Sequence, residues 1–322
     1  MSWRPSATLE TLQARAALVA RIRAYFAQQG VLEVDTPMLS VAGTVDPNID
    51  SWAADSAAYG RRWLHTSPEF PMKRLLAAGS GPIYQICHVF RDGERGRLHN
   101  PEFTLLEWYR PGFDPHRLMD DIEALLAATL PAPPAAAERI CYRDAVRRES
   151  GIDPFATGAA SLRRGLADLG VREPAGLSAA QAADTDFWLD LLMGEVVGPR
   201  LGRERPCFIY DYPASQAALA RIRDGGPPVA ERFELYWQGI ELANGFHELG
   251  DPAVQRRRFE ADRSRRLARG QPTPPLDQKL LAALEAGLPD CAGVALGLDR
   301  LLMLSLGLPT VAETLAFSFD RA

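Results

Sequence analysis

The chain begins with an amphipathic stretch. Over residues 8–29, Leu12, Ala16, Val19, Ile22 and Phe26 recur at three- and four-residue steps, which predicts a helix with one apolar face. Gly30 is placed to end it. The run "VLEVDTP" predicts a short strand, with Pro37 marking its end or an edge. Two β-rich runs follow, "PIYQICHVFRD" and "EFTLLEWYR", around the polar "GERGRLHNP". They predict an antiparallel hairpin with a long tip. "LPAPPAAAE" (130–138) reads as a surface connection, and residues 139–205 are rich in alanine and arginine and helical in pattern. Strand-like composition returns in "CFIYDYP" and "ERFELYWQGIELANGF". "PPLDQKLLAALEAGLP" predicts a helix capped near Gly287, and "GVALGLDRLLML" a strand, a tight turn and a core helix. The β-rich runs are widely spaced and interrupted by helices. That pattern predicts an α+β fold with a mainly antiparallel sheet flanked by helices, rather than a parallel βαβ layout.

Composition narrows the class. The 322 residues are 47% hydrophobic and 24% charged, as in ordinary globular chains. No run of 18 uncharged apolar residues exists, and the N-terminus lacks an apolar signal core, so a cytoplasmic protein without a membrane span is expected. Cys87, Cys141, Cys207 and Cys291 lie far apart, which suits reduced thiols. His65, His88, His99, His116 and His247 form no HExxH or HxH cluster, which argues against a transition-metal centre. The formal charge of −5 argues against general nucleic-acid binding. Arg256–Arg269 is a local exception, with seven arginines against two acids. It reads as a solvated helix face or as a docking surface for an acidic partner. Neither common phosphate loop, GxGxxG or GxxxxGK[ST], is present.

Three places carry candidate chemistry. In the long hairpin Arg91 ends one strand, the tip holds Arg95, Arg97, His99 and Asn100, and Phe103 opens the return strand. A fixed guanidinium suits a bidentate grip on phosphate, and an aromatic beside it can stack on a base; a plain charged tip is the alternative. In "FELYWQGIELANGFHEL", Glu234 and Glu241 stand seven apart, an odd offset on a strand. A bulge or turn at Gly239 would let both reach one site and offer magnesium two hard oxygen donors. Glu248 follows Asn244, Gly245 and His247, and buried carboxylates need partners. In "LHTSPEFPMKRLL", Glu69 follows Ser67 and Pro68, as a helix-start acid or as a carboxylate awaiting a cation.

Together these segments resemble the catalytic domain of class II aminoacyl-tRNA synthetases, most closely the lysyl branch. The first helix with "VLEVDTP" resembles that family's first motif, "FRDGERGRLHNPEFTLLEWY" the second and "GVALGLDR" the third. "TSPEF" and "GIELANGFHEL" resemble lysyl-branch pocket segments, and the likeness runs from about residue 8 to the C-terminus, implying one catalytic domain over 1–322. The resemblance implies ATP and Mg2+ as co-substrate and cofactor. Arg91 would hold the α-phosphate and Arg300 the γ-phosphate, as the catalytic pair. Phe103 would lie under adenine, with Asp92, Gly93, His99, Asn100, Leu235 and Gly297 also lining the nucleotide site. Glu234 and Glu241 would hold magnesium. Glu69 and Glu248 would meet the substrate's distal ammonium beside Ser67, Pro68 and Tyr109; Asn244 would address its carboxylate, and Glu241 and Ala295 would also line the amino-acid site. The first-motif helix and Pro37 would build a homodimer.

Two positions depart from the pattern. Arg-x-Glu becomes Arg91-Asp92-Gly93 with Glu94 one place late, which leaves Asp92, Glu94 or backbone for the adenine contact. Ala295 replaces a glycine, and its methyl would crowd the pocket floor. The first-motif helix also begins within ten residues of Met1, without the roughly 100 residues an anticodon-binding OB-fold needs. This arrangement resembles the elongation factor P lysyltransferases of bacteria. It implies activation of lysine or (R)-β-lysine and transfer to a lysine of elongation factor P rather than to tRNA. The alternatives are a tRNA- or free amino-acid-acylating ligase and a non-catalytic regulatory paralogue.

Overall fold

The computed structural model describes residues 3–322. Packing divides them into two compact units: the chain up to Pro133 together with Glu248 onward, and Pro134–His247. The chain starts in the first unit with helix α1 (Leu9–Gln28), whose first turn is capped by the Thr8 hydroxyl accepting the Thr11 N–H at 3.2 Å. It leaves the helix through Gly30 at φ +65°, a conformation glycine adopts at no steric cost. Ile22 and Phe26 are buried as the periodicity predicts, whereas Ala16 faces solvent and the burying face is completed by Thr11, Leu18 and Tyr25. Next come the short strands β1 (Leu32–Glu33) and β2 (Leu39–Ser40), then β3 (Ala53–Ser56) and β4 (Gly60–Leu64). Helix α2 (Glu69–Ala77), the long pair β5 (Ile83–Phe90) and β6 (Glu102–Pro111), and helix α3 (Pro115–Thr129) complete this segment.

The second unit runs through β7 (Glu138–Cys141), α4 (Tyr142–Ser150), α5 (Ala159–Asp168), α6 (Ala179–Ala183), α7 (Thr185–Leu192), β8 (Cys207–Pro213), β9 (Ile222–Arg223), β10 (Val229–Trp237) and β11 (Ile240–His247). Its strands lie in the order β11-β10-β8-β7, with β9 beside β10 and only β7–β8 parallel. The expected helices of the 139–205 stretch pack a core around Tyr142, Val146, Leu162, Trp188 and Leu192. The chain then returns to the first unit with α8 (Pro252–Ala268), α9 (Gln278–Ala286), β12 (Cys291–Gly297) and α10 (Leu298–Leu306). Helix α9 ends at Gly287, where the sequence places its cap.

In the first unit the strand order is β1-β5-β6-β12, with β1 parallel to β5 and the rest antiparallel. Strands β2, β4 and β3 form a small sheet of their own. One face of the main sheet is filled from α1 and α3. Phe26 stacks on Tyr84 at 4.3 Å and meets Trp108 edge-on at 5.5 Å. Behind them Asp121 accepts from Arg110 at 2.7 and 2.9 Å, from Trp108 at 3.1 Å and from Tyr25 at 2.6 Å. A carboxylate this buried is tolerable because its oxygens are saturated with donors.

Strand alternation fixes what the other face carries. Phe103, Leu105, Glu107 and Tyr109 share it along β6. Their cross-strand partners are Val89, Cys87, Gln85 and Ile83 on β5, and Gly297, Ala295 and Gly293 opposite Leu105, Glu107 and Tyr109 on β12.

Candidate active site

At one end of this face the guanidinium of Arg91 lies over Phe103, 5.1 Å from the ring centre. Its Nε is buried without a hydrogen-bond partner, and Glu94 stands 3.6 Å from Nη1. An unsatisfied buried donor beside an aromatic platform is a prepared anion contact. The tip turns back on itself through Gly96 and His99, and Gly93 takes φ +77°. Arg300, in the first turn of α10, donates from Nη2 to His99 Nε2 at 2.8 Å and from Nε to the Leu98 carbonyl at 3.2 Å. An arginine only donates, so His99 Nε2 is the acceptor and Nδ1 carries the proton. Burial, the Arg300 guanidinium and Arg91 hold His99 below its ordinary range, which keeps it in this neutral form. Asn100 has its amide committed to the backbone: Nδ2 donates to Glu102 O at 2.6 Å, and Oδ1 accepts the Phe319 N–H at 3.0 Å.

The start of α10 is itself anchored. Buried Asp299 accepts from Arg15 at 2.6 Å and from the Thr104 N–H at 2.8 Å, while Arg15 also reaches the Thr104 hydroxyl at 2.6 Å. Helix α1, strand β6 and Arg300 are thus tied to one carboxylate. Gly297 forms the N-terminal boundary of α10 in extended conformation.

The other end of the face is acidic. Glu107 is 2% exposed and accepts from the Tyr109 hydroxyl at 2.6 Å and from Ser67 Oγ at 2.7 Å. Ser67 Oγ also accepts the Glu69 N–H at 3.0 Å, and Pro68 precedes the first turn of α2. Lys73, one helical turn after Glu69, is fully buried and bridges Glu69 at 2.5 Å and Glu248 at 2.6 Å. Burial disfavours the Lys73 ammonium, but the Glu248 and Glu69 charges outweigh it and raise Lys73 above the ordinary lysine value. Burial and then the Glu69 carboxylate push Glu107 up to about 8, against the pull of the Tyr109 and Ser67 hydroxyls, with Glu248 adding to the rise. Two carboxylates therefore share one resident ammonium, and a third carboxyl, Glu107, feels both of them. Gly293 is required here for a reason other than close approach of a ligand. A Cβ on it would lie 2.3 Å from the Tyr109 ring and 2.5 Å from Glu248 Oε1. Ala295 stands across from Glu107 in register, between the acidic end and the Phe103 end, and packs on the Cys87–Val89–Leu105 cluster.

Glu107, Lys73 and Asp299 are the residues the motif reading passes over. Glu107 was accessible from spacing alone, because it lies two residues before Tyr109 on a strand and so on the same face.

In the second unit the hairpin β10–β11 closes through Gln238 and Gly239, both at positive φ (53° and 77°), a two-residue turn that matches the twist of its strands. The odd spacing of Glu234 and Glu241 is resolved by this turn, which sets Glu241 opposite Tyr236, and a bulge beyond it brings Asn244 onto the same face. Leu235 pairs with Ala243 but Tyr236 with Glu241, so Leu242 is the extra residue. The parity shift places Glu234, Tyr236, Asn244 and Glu241 on one face. Glu234 is 7% exposed, ion-paired with Arg232, and accepts from the Tyr236 hydroxyl at 2.8 Å. Arg232 Nε also donates to Asn244 Oδ1 at 3.2 Å. Leu235, the residue between, is fully buried. Among the described residues no three acidic, histidine or cysteine groups converge as a metal cluster. No described helix is long and apolar enough to cross a membrane.

The physical arrangement agrees with a comparison of the whole chain. Residues 1–321 match the family model described as tRNA synthetases class II (D, K and N). The chain belongs to the class II (D, K and N) tRNA synthetase family.

Proposed function

We propose that the chain, as an ATP-dependent amino-acid ligase of this family, activates a lysine-type amino acid and passes it to a lysine of elongation factor P. The observation that carries the amino-acid half is the acidic end of the β6–β12 face. Glu69 and Glu248 together carry more negative charge than Lys73 neutralises, and Glu107 beside them is kept protonated by burial and by their field. A buried excess of carboxylate favours a ligand that brings ammonium groups, because an ion pair at ~4 Å is worth several times more there than in bulk water. Ala295 supports an altered amino acid, since its methyl occupies the floor directly beside Glu107. The acceptor half rests on the resemblance to elongation factor P lysyltransferases.

In this reading Arg91 and Arg300 steady the phosphates. The substrate carboxylate attacks the α-phosphorus, the bond to pyrophosphate breaks, and the adenylate forms. The ε-amine of the acceptor lysine then attacks the carbonyl, loses a proton, and AMP departs. Such transfer needs position and charge neutralisation more than a covalent nucleophile. Glu234 and Glu241, two hard oxygen donors on one hairpin face, fit magnesium, which when bound would offset phosphate charge. Asn244 carries over as the contact for the substrate carboxylate. Exposed Leu32, Met38, Leu39 and Val41 surround Pro37 and support a homodimer through the first motif.

The test is pyrophosphate exchange with α-lysine and (R)-β-lysine, followed by transfer of the labelled amino acid. Exchange with one of them and label on elongation factor P is the expected result. Exchange followed by label on tRNA alone would overturn the acceptor assignment, and no exchange with any amino acid would favour a regulatory paralogue.

A further inference from the structure

The arginine-rich helix α8 holds a residue that fits neither a solvated face nor a docking surface. Arg266 is 1% exposed. Around it the segment does pair locally, as Arg265 with Asp262 at 2.5 Å and Arg256 with Glu285 at 3.8 Å. Arg266 instead points inward and spends its fork on backbone. Nε donates to Pro272 O at 2.6 Å, and Nη1 to Asp46 O at 2.7 Å and Ile49 O at 3.0 Å. Nη2 donates to Asp50 Oδ1 at 2.5 Å. Arg269 and Gln271 add contacts to Pro47 O at 3.2 and 3.1 Å. The segment 46–50 has no strand or helix ladder to hold it. Its carbonyls converge on one guanidinium, a planar five-donor group that an ammonium cannot imitate.

The other side of this segment touches the second motif. The Asp50 carbonyl accepts the Asp92 N–H at 2.8 Å, as an isolated antiparallel bridge. Asp92 directly follows Arg91, at the point where the chain leaves β5 for the long tip. The path runs from Arg266 through Asp50 to Asp92, over contacts of 2.5 and 2.8 Å.

We infer that Arg266 is a positioning residue for nucleotide binding, holding the backbone beside Arg91 through Asp50. The inference rests on the reading of Arg91 as a phosphate contact. Arg266 touches no substrate. It fixes the segment against which the Arg91–Asp92 backbone is pinned, and a displacement of about 1 Å there is enough to cost on the order of a hundredfold in a positioned reaction.

The experiment uses the full chain with Arg266→Lys and with Asp50→Ala, the latter at a side chain 45% exposed and so tolerant of truncation. Pyrophosphate exchange is measured with α-lysine or (R)-β-lysine, whichever the wild type activates. The KM for ATP is expected to rise about tenfold in both variants while the amino-acid KM stays within about twofold. Amide exchange is read separately by mass spectrometry. The peptide containing Asp92 is expected to exchange about tenfold faster, with the β6 peptide unchanged. Lysine in place of Arg266 keeps the charge, so wild-type behaviour of that variant would overturn the inference. So would equal movement of both KM values, or unchanged protection at Asp92. Arg91→Ala is the control for the underlying reading. If it retains exchange activity, the phosphate role of Arg91 fails, and the positioning of the Asp92 backbone is then judged by amide exchange alone.

Discussion

Glu107 offers the sharpest test of the acidic end, because its burden depends on pH. In the unfolded chain it releases its proton at 4.5, in the folded chain at about 8. Between those values the folded state binds one more proton than the unfolded state, so stability falls as pH rises. The contribution of the protonated acid is fully present below 4.5 and is lost as pH passes through the folded value. The shift corresponds to roughly 5 kcal/mol in all, or ~1.4 kcal/mol for each pH unit within the window. Glu107→Gln keeps the shape, can still accept from Tyr109 or Ser67, and does not titrate. Its stability relative to the wild type should therefore climb with pH, from under about 1 kcal/mol of titration advantage at pH 5 to about 4 kcal/mol at pH 7.5. Any constant loss from altered hydrogen bonds adds an offset but no slope. Guanidinium unfolding of both proteins at pH 5, 6.5 and 7.5 measures the difference directly. Saturating cationic amino acid should flatten the wild-type slope, since an ammonium beside Glu107 favours its ionised form. A wild-type-minus-variant difference that is constant across the three pH values would refute the burial argument.

Gly293→Ala should lower the unfolding midpoint, with a cost of about 1–3 kcal/mol, because the new methyl meets the buried Tyr109 ring and Glu248; an unchanged thermal transition would contradict the packing described. Ala295→Gly should shift the ratio of kcat/KM between α-lysine and (R)-β-lysine by ~10-fold or more, the worth of a methyl in a tight pocket, and an unchanged ratio would remove Ala295 from the specificity argument. Arg300→Ala should reduce pyrophosphate exchange by at least about a hundredfold and leave the circular dichroism spectrum intact. Glu69→Gln should weaken the amino-acid KM far more than the ATP KM, and equal loss of both would detach Glu69 from the acidic end.

The local grammar of the chain carried much of the fold. Period-two runs gave the β5–β6 hairpin, a capping glycine gave the end of α9, and the 139–205 stretch folded as helices. The apolar stripe of α1 was only partly readable, since Ala16 faces solvent and Thr11 is buried. The choice between small residues there is made by tertiary contact, not by period. At the site, residues announced by motif were legible, whereas their supports were not. Glu107 hides inside the apolar run "TLLEWY", and its meaning depends on Glu69 and Glu248, which arrive from distant segments. Asp299 is quiet in sequence because its partners are an arginine on α1 and a backbone N–H on β6. Arg266 looks like one arginine among seven until its carbonyl partners, more than 200 residues earlier, are in place. Long-range hydrogen bonds leave no periodic trace.

The unpaired Leu242 makes chain length, not residue identity, the guardian of the second unit's paired acids. Inserting one residue in β10 between Leu235 and Tyr236, opposite that leucine, would leave every glutamate and asparagine of the hairpin in the sequence. It would also complete the ladder and send Glu241 to the side of the sheet opposite Glu234. Comparisons that score only which residues are retained would judge such a chain intact. A single-residue insertion is therefore an economical way to disarm this hairpin while keeping its full complement of functional side chains, and deletion of Leu242 the direct way to restore the parity.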